Sequence, residues 1–410
     1  MTVPYWLKNV RLESGYAYEG GMIVATEHEL SHLLIDNGKI ARIESATVPL
    51  DTELPVIDAG GLLMLPSFAE MHIHLDKTFY SGPWQAVIPA KNRFFRIQQE
   101  EQLLPLLLPT AQERAENILA LITSTGATHV RTHCNIDPVI GLKNLEVTML
   151  ALETYKGKLS HEIVAFPQHG LLRSKVVPLM REAMKNGATL VGGLDPATFD
   201  ENIETSLHTM MELAVEADAD VDIHLHEPTH LGVFIIKRLA ALTEEAGWQG
   251  RVTISHAYGL GEVPAGDAAA VAELLAALGI TIASSVPYDI PTIPIPLLHE
   301  KGVKVQLGTD NLTDNWDPFG KGDMLEKANV LAQRFRWIDE RSLAKALGFI
   351  TGGKLPLDDE GNRQWPKVGD SADAVFVHAS SSAEAVARIA KRQVVMYKGN
   401  VIAGSFPAAE

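Results

Sequence analysis

The stretch EMHIHLDK sets two imidazoles, His72 and His74, one residue apart, just after the apolar run GGLLMLPSF. Side chains on a strand alternate faces, so both rings point the same way. Further along, DIHLHE supplies His224, His226 and Glu227, TISHAYG supplies His256, and LGTDN supplies Asp310 followed by Asn311. Each group stands where a strand-like apolar run ends. Neutral imidazoles with a carboxylate hold one divalent cation, Zn2+ or Fe2+ with Mn2+ also suited, and leave a position for water. Such a cation lowers the pKa of that water toward about 7, making hydroxide available at neutral pH. Asp310 can ligate the metal and take the water's proton. His256 can orient the nucleophile or polarise the attacked atom, and Glu227 can shuttle a proton to the substrate. These roles suit hydrolysis of a C–N bond.

Any one of the fifteen histidines, taken singly, reads as a hydrogen-bonded structural imidazole. His28, His32, His208, His299 and His378 have no company and are read that way. His129 and His133, in THVRTHC, are also read as structural, with a rim position as the alternative. His72, His74, His224, His256 and Asp310 form a different case, because they arrive independently at the ends of separate strands.

The elements that must position them can be counted. LLMLPSFAEMHIH, ATHVRTHC, EIVAFPQ, ATLVGGLD, ADVDIHLH, RVTISH, ITIASS and VKVQLGTD read as strands. Amphipathic stretches such as AQERAENILALITSTG, VPLMREAMKNG, GVFIIKRLAALTEEAG and DAAAVAELLAALG lie between them, several closing on glycine as helices do. Eight strand–helix units predict an α/β fold of the (β/α)8 TIM-barrel type, whose chemistry sits at the C-terminal ends of the strands. A doubly wound sheet would carry a glycine fingerprint after its first strand. Here that strand ends in HIHLD, and GLGEVP has proline at the third glycine position. Both chain ends read as short strands, with DNGK as a hairpin signal and a Lys-Gly-Asn turn near the C-terminus. Residues 1–61 and 365–410 are therefore expected to build one small β-sandwich, and 62–364 the barrel.

Bulk properties narrow the partners. The 410 residues carry a net charge of −16 and no Lys/Arg block, which argues against nucleic acid. The one cysteine, Cys134, excludes an internal disulfide framework and a Cys-based zinc knuckle. No apolar run approaches the length of a membrane span, and no secretory signal is visible at the start, so a cytoplasmic protein without membrane contact is expected. The connection from Asp76 to about Pro109 is long for a βα loop, which usually takes about 2–6 residues. It is expected to cover the pocket or to join a subunit contact in a homo-oligomer.

MHIHLD, DIHLHE, TISHA and GTDN, in that order, resemble the amidohydrolase superfamily and most closely its cytosine-deaminase-like branch. VRTHC, VAFPQHG, LVGGLDPAT, DNWDPFGKGD and VGDSADAVFV extend the likeness over nearly the whole chain. The resemblance implies a (β/α)8 barrel with a β-sandwich from both termini and one catalytic Zn2+ or Fe2+. It implies His72, His74, His224 and Asp310 as ligands, Glu227 as proton shuttle and His256 as the base that orients hydroxide. It also implies substrate contacts: Gln168 to a ring amide and Trp316 on the ring face. Phe166 and Asn311 are expected beside the ring, and Lys77 is read as binding an anionic edge of the substrate, with a surface or salt-bridge role as the alternative. No lysine ends the fourth strand, so a mononuclear site is expected. Where the cytosine enzymes carry two acids after strand eight, this chain has Asp310 then Asn311. That pair, with LVGGLDPAT and HLDK, is also similar to N-isopropylammelide isopropyl amidohydrolases. Asn both donates and accepts, whereas ionised Asp only accepts, so a different exocyclic group is contacted. The function expected is a metal-dependent hydrolytic deaminase of a small nitrogen heterocycle of the cytosine or isocytosine kind, its activated hydroxide attacking a ring carbon and releasing ammonia. The alternatives are an s-triazine or cyclic amide hydrolase that releases an alkylamine, and a non-catalytic barrel scaffold.

Overall fold

The computed structural model describes residues 3–407. In chain order the N-terminal strands are β1 (Tyr5–Glu19), β2 (Met22–Asp36), β3 (Lys39–Ser45), β4 (Val56–Asp58) and β5 (Leu63–Pro66). Eight more follow: β6 (Phe68–Ile73), β7 (Ala127–Asn135), β8 (Ser160–Phe166), β9 (Leu190–Leu194), β10 (Asp220–Leu225), β11 (Val252–His256), β12 (Thr281–Ser284) and β13 (Val305–Leu307). The chain ends with β14 (Ala374–Val377), β15 (Arg392–Tyr397) and β16 (Asn400–Gly404). Strands β6 to β13 lie in sequence order as a parallel sheet with helices between them, the (β/α)8 barrel expected. The other strands form a separate sheet of order β16-β15-β14-β5-β1-β2-β3, with β4 beside β1.

The barrel closes between β6 and β13 at the end that carries His72 and Asp310. The Asp310 amide donates to the His72 carbonyl at 2.7 Å, and the His74 amide donates to the Asp310 carbonyl at 3.3 Å. Gly308 makes this seam possible, because a Cβ there would lie 2.5 Å from the Cβ of His72. The barrel's helices pack on strand residues such as Val130, Ile163, Val221, Ile254 and Ile282, while Leu7, Leu33, Met64, Phe376 and Met396 fill the sandwich.

Three local readings change. LLMLPSFAEMHIH is two strands rather than one: β5 pairs with β14, and β6 enters the barrel. Pro66 has no N–H to continue a ladder, and at Ser67 the chain changes sheets. The first two strands are 15 residues each rather than short. Register shifts at Leu7/Val10, Glu13/Gly15 and Ala17/Tyr18 keep them paired where the alternation fails. The long connection after β6 contains a helix, Arg93–Leu107, started by Asn92, whose side chain accepts from the Phe95 amide at 3.0 Å. The DNGK hairpin is present between β2 and β3, with Asn37 and Gly38 at φ 48° and 76°, as a type I′ turn requires. No helix among the described residues is long and apolar enough to cross a membrane.

Candidate metal centre and active site

Four strand ends, those of β6, β10, β11 and β13, meet at one mouth of the barrel. Ligand atoms of His72, His224, His256 and Asp310 all lie within 4.8 Å of one another. His74 stands beside this group, its Nε2 3.4 Å from Asp310 Oδ1, the same distance as His72 Nε2. His256 thus sits closer to the tight group than the ligand pattern implied by resemblance, and His74 slightly outside it. His256 (φ 73°) and Asp310 (φ 65°) both adopt left-handed backbone, as does Asp195 (φ 32°) at the end of β9. For residues other than glycine this costs of order 1–3 kcal/mol each, and such strain collects at functional sites.

The rings are positioned from behind. His72 Nδ1 meets Ser255 Oγ at 2.8 Å, and Ser255 donates to Asp222 Oδ1 at 2.7 Å. His74 Nδ1 donates to the His133 carbonyl at 3.2 Å. The nitrogens facing inward are left over. His72 Nε2 and both nitrogens of His224 and His256 are buried with no hydrogen-bond partner among the described residues. Unpaired buried polar atoms cost about 1–3 kcal/mol each, so several converging on one point beside a carboxylate call for a cation. The donor set, imidazole nitrogen and carboxylate oxygen, fits a divalent transition metal. Burial, with Lys77 adding to it, lowers His74 to about 3, and burial and neighbouring rings hold His224 and His256 well below the usual imidazole value. Neutral imidazole is the ligating form. Burial opposes ionisation of Asp310, but His256, His72 and His74 outweigh it and hold the carboxyl well below the ordinary range.

Glu227, three residues past His224, is 1% exposed. Its Oε1 accepts from the amides of Ala197 and Thr198 at 3.0 and 3.2 Å, while Oε2 has no partner. Burial, then the charge of Asp195, push it up to about 9, so it is a protonated acid at neutral pH. Asp195 accepts from the His226 amide at 2.5 Å and from His226 Nδ1 at 2.9 Å, and the His226 ring stacks on His256 at 4.4 Å. Sequence reasoning misses Asp195 and its pairing with His226. The signal available is the position of Asp195 at a strand end, in GGLD. His133, read from sequence as structural, lies within the cluster, its ring 3.9 Å from that of His72, with both nitrogens unpartnered.

The cleft above is lined by His74, Lys77, Arg93, Phe166, Gln168, Leu194, Phe199, Asn311 and Trp316, besides the histidines and Asp310. All five residues expected to contact substrate border it. It is a small cleft, about 340 Å³ with its open mouth included. Phe166 stacks on His224 at 4.0 Å. Lys77 is 3% exposed, and its Nζ donates to Gln168 Oε1 at 2.7 Å and pairs with Glu100 Oε1 at 3.1 Å. Trp316 Nε1 donates to the same Glu100 oxygen at 3.3 Å. Arg93 and Glu100 both come from the unforeseen helix. His169 does not line the cleft; its buried ring stands 3.8 Å from Glu101.

The opposite mouth holds a larger cleft, about 870 Å³ by the same measure, lined by His129, Arg131, Glu162, Lys304 and Gln306 among others. Its buried charges are paired. Arg131 donates to Glu162 at 2.8 Å, to Asp222 at 3.0 Å and to Thr253 at 3.0 Å, and His129 meets Ser160 at 2.9 Å.

Residues 55–403 match the sequence model of the Amidohydrolase family. The N-isopropylammelide isopropyl amidohydrolase of Pseudomonas sp. (strain ADP) is 33% identical over 362 residues, 84% of this chain and 87% of that protein. The crystal structure of N-isopropylammelide isopropylaminohydrolase from Burkholderia multivorans superposes with a TM-score of 0.87 at 28% identity, covering 98% of this chain and 99% of that one. That of 5-methylcytosine deaminase from Klebsiella pneumoniae, liganded with phosphonocytosine, gives 0.80 at 26% identity over 99% of both chains.

Proposed function

The chain belongs to the amidohydrolase family and is a hydrolase of C–N bonds outside peptides, and on that premise we propose that it deaminates a small nitrogen heterocycle. The observation that carries this reading is a buried Glu227 with one oxygen unpartnered, beside an unsatisfied His/Asp cluster at the mouth of a small cleft. The family is metal-dependent. His72, His74, His224 and Asp310 would hold one ion, Zn2+ or Fe2+ with Mn2+ also suited, and His256 would stand ready to orient the attacking water. When bound, such an ion supplies Lewis acidity and an acidified water.

The chain's own residues account for the remainder. Asp310 is ionised and can accept a proton from water and later pass it to the departing amine, while Glu227 can give its proton to the ring nitrogen next to the attacked carbon and recover one from the hydroxyl of the adduct. Water's oxygen becomes a ring carbonyl, the exocyclic C–N bond breaks and ammonia leaves. Trp316 and Phe166 would flank the ring, while Gln168, Asn311 and Lys77 would set its edge. A cleft of this size suits a single ring of the cytosine or isocytosine kind. A second reading keeps every role and changes the leaving group to an alkylamine. The likeness to N-isopropylammelide enzymes and the Asp310–Asn311 pair favour it.

The test is metal-loaded protein with cytosine, isocytosine, 5-methylcytosine, creatinine, ammelide and N-isopropylammelide, with ammonia and isopropylamine as separate readouts. Ammonia from a pyrimidine supports the first reading, and isopropylamine alone supports the second. Release of neither, by protein that holds its metal, would leave a barrel that binds without catalysis.

A further inference from the structure

Resting on the heterocycle reading above, we propose that the cleft selects rings with an anionic or dicarbonyl edge, and that Arg93 is the residue that reads that edge. Three observations carry this. The first is the state of Gln168. A lysine ammonium can only donate, so the Gln168 oxygen must be the atom facing Lys77 Nζ, 2.7 Å away. The side-chain nitrogen of Gln168, with no hydrogen bond among the described residues, is the group offered to a ligand. Lys77 itself is neutralised by Glu100 at 3.1 Å, so its task is to hold this orientation.

The second is the isolation of Arg93. It borders the cleft and is half-buried, yet makes no ion pair or side-chain hydrogen bond among the described residues. The nearby carboxylate Asp195 is already committed to His226, and Glu227 is protonated. The third is its place in the fold. Arg93 is the first residue of the helix Arg93–Leu107, whose first turn has no acidic residue. A helix start is electropositive and disfavours a cation. Phe94 fixes that turn over the cleft by packing on Phe199 at 4.7 Å. Within the fold its charge acts on Asp195 only at a distance, whereas a ligand rich in acceptors would meet the guanidinium directly, through the paired N–H groups of its planar fork. Gln168 and Arg93 thus bring donors to the same cleft that Trp316 borders.

The test is equilibrium binding to the full-length protein, followed by calorimetry, with inert rings of similar size. Barbiturate, cyanurate and orotate carry the anionic edge, and uracil is the neutral control. Barbiturate or cyanurate should bind about 10- to 100-fold tighter than uracil, the range of a charge-assisted hydrogen bond. Arg93→Met should bring them level with uracil, and Arg93→Lys should keep part of the preference. Added salt should weaken the anions and not uracil. Equal affinities in the unaltered protein would overturn the proposal. So would an Arg93→Met loss that falls equally on uracil, which would mean that Arg93 only supports the helix. If no ring is hydrolysed but the preference persists, the deaminase reading falls and the selectivity stands. Turnover without the preference removes the selectivity and leaves the deaminase reading in place.

Discussion

The two mouths of the barrel are built from the same eight strands and treat charge in opposite ways. At the N-terminal mouth the buried charges are paired, Arg131 with Glu162 and Asp222. Burial alone would raise Glu162, but His129 and Arg131 pull it down to about 2. At the C-terminal mouth Glu227 is pushed up to about 9, and imidazoles stand buried without partners. The larger cleft belongs to the satisfied end. Unmet polar valence, rather than volume, therefore marks the end where chemistry is done. Several such atoms converging on one point mark a place for a ligand.

Substitutions at the two ends should separate cleanly. His72→Ala should lose bound metal and turnover together, measured by elemental analysis and ammonia release. Glu227→Gln should keep the metal and lose turnover by about 10²–10⁴-fold, the usual size of general acid–base terms; unchanged turnover would mean the shuttle is another group. At the opposite mouth, Arg131→Met strands Asp222 and Glu162, at a cost of roughly 3–5 kcal/mol in denaturant unfolding, while kcat of the folded fraction should stay within a few-fold of the unaltered protein. A collapse of kcat there would erase the distinction between the ends. Ser255→Ala cuts the link from Asp222 to His72 that joins them. It should weaken metal affinity by about 10–100-fold, as loss of such supporting hydrogen bonds does.

The finest distinction is in pH. Glu227 is raised, so turnover should fall as pH rises through about 9 and the donor loses its proton. Glu162 is depressed, so its contribution to stability is complete above the ordinary carboxylate pKa and disappears as pH falls through about 2. Glu162→Gln should flatten that acid limb in thermal unfolding and leave the alkaline limb of activity in place.

The barrel and its ligand-bearing ends were legible because strand periodicity exposes which residues share a face and where each run stops. His72, His74, His224, His256 and Asp310 needed nothing more. Residues that act by contact across the fold left no such trace. Lys77 and Glu100 are 23 positions apart, on a loop and a helix with no shared pattern. The weakly amphipathic helix Arg93–Leu107 carries Pro105 and hid inside what read as a connection. Asp195 looked like an ordinary strand end, because only the folded chain brings it to His226. His133 was indistinguishable from His129, two residues pointing inward from one strand at different heights. The split at Ser67 was masked by continuous hydrophobicity, since both sheets bury the run.

The last pair of strands is stitched by the backbone of His72, His74 and Asp310, the same residues whose side chains face the ion site. If those side chains hold the ion as proposed, assembly of the cylinder and occupancy of its centre are one coupled equilibrium. Chelated protein should loosen first along that joint, and the amide protons of His74 and Asp310 should exchange with solvent sooner than those between β9 and β10. Resupplying the ion should slow them again. The seam is thus a built-in gauge of whether the enzyme is loaded.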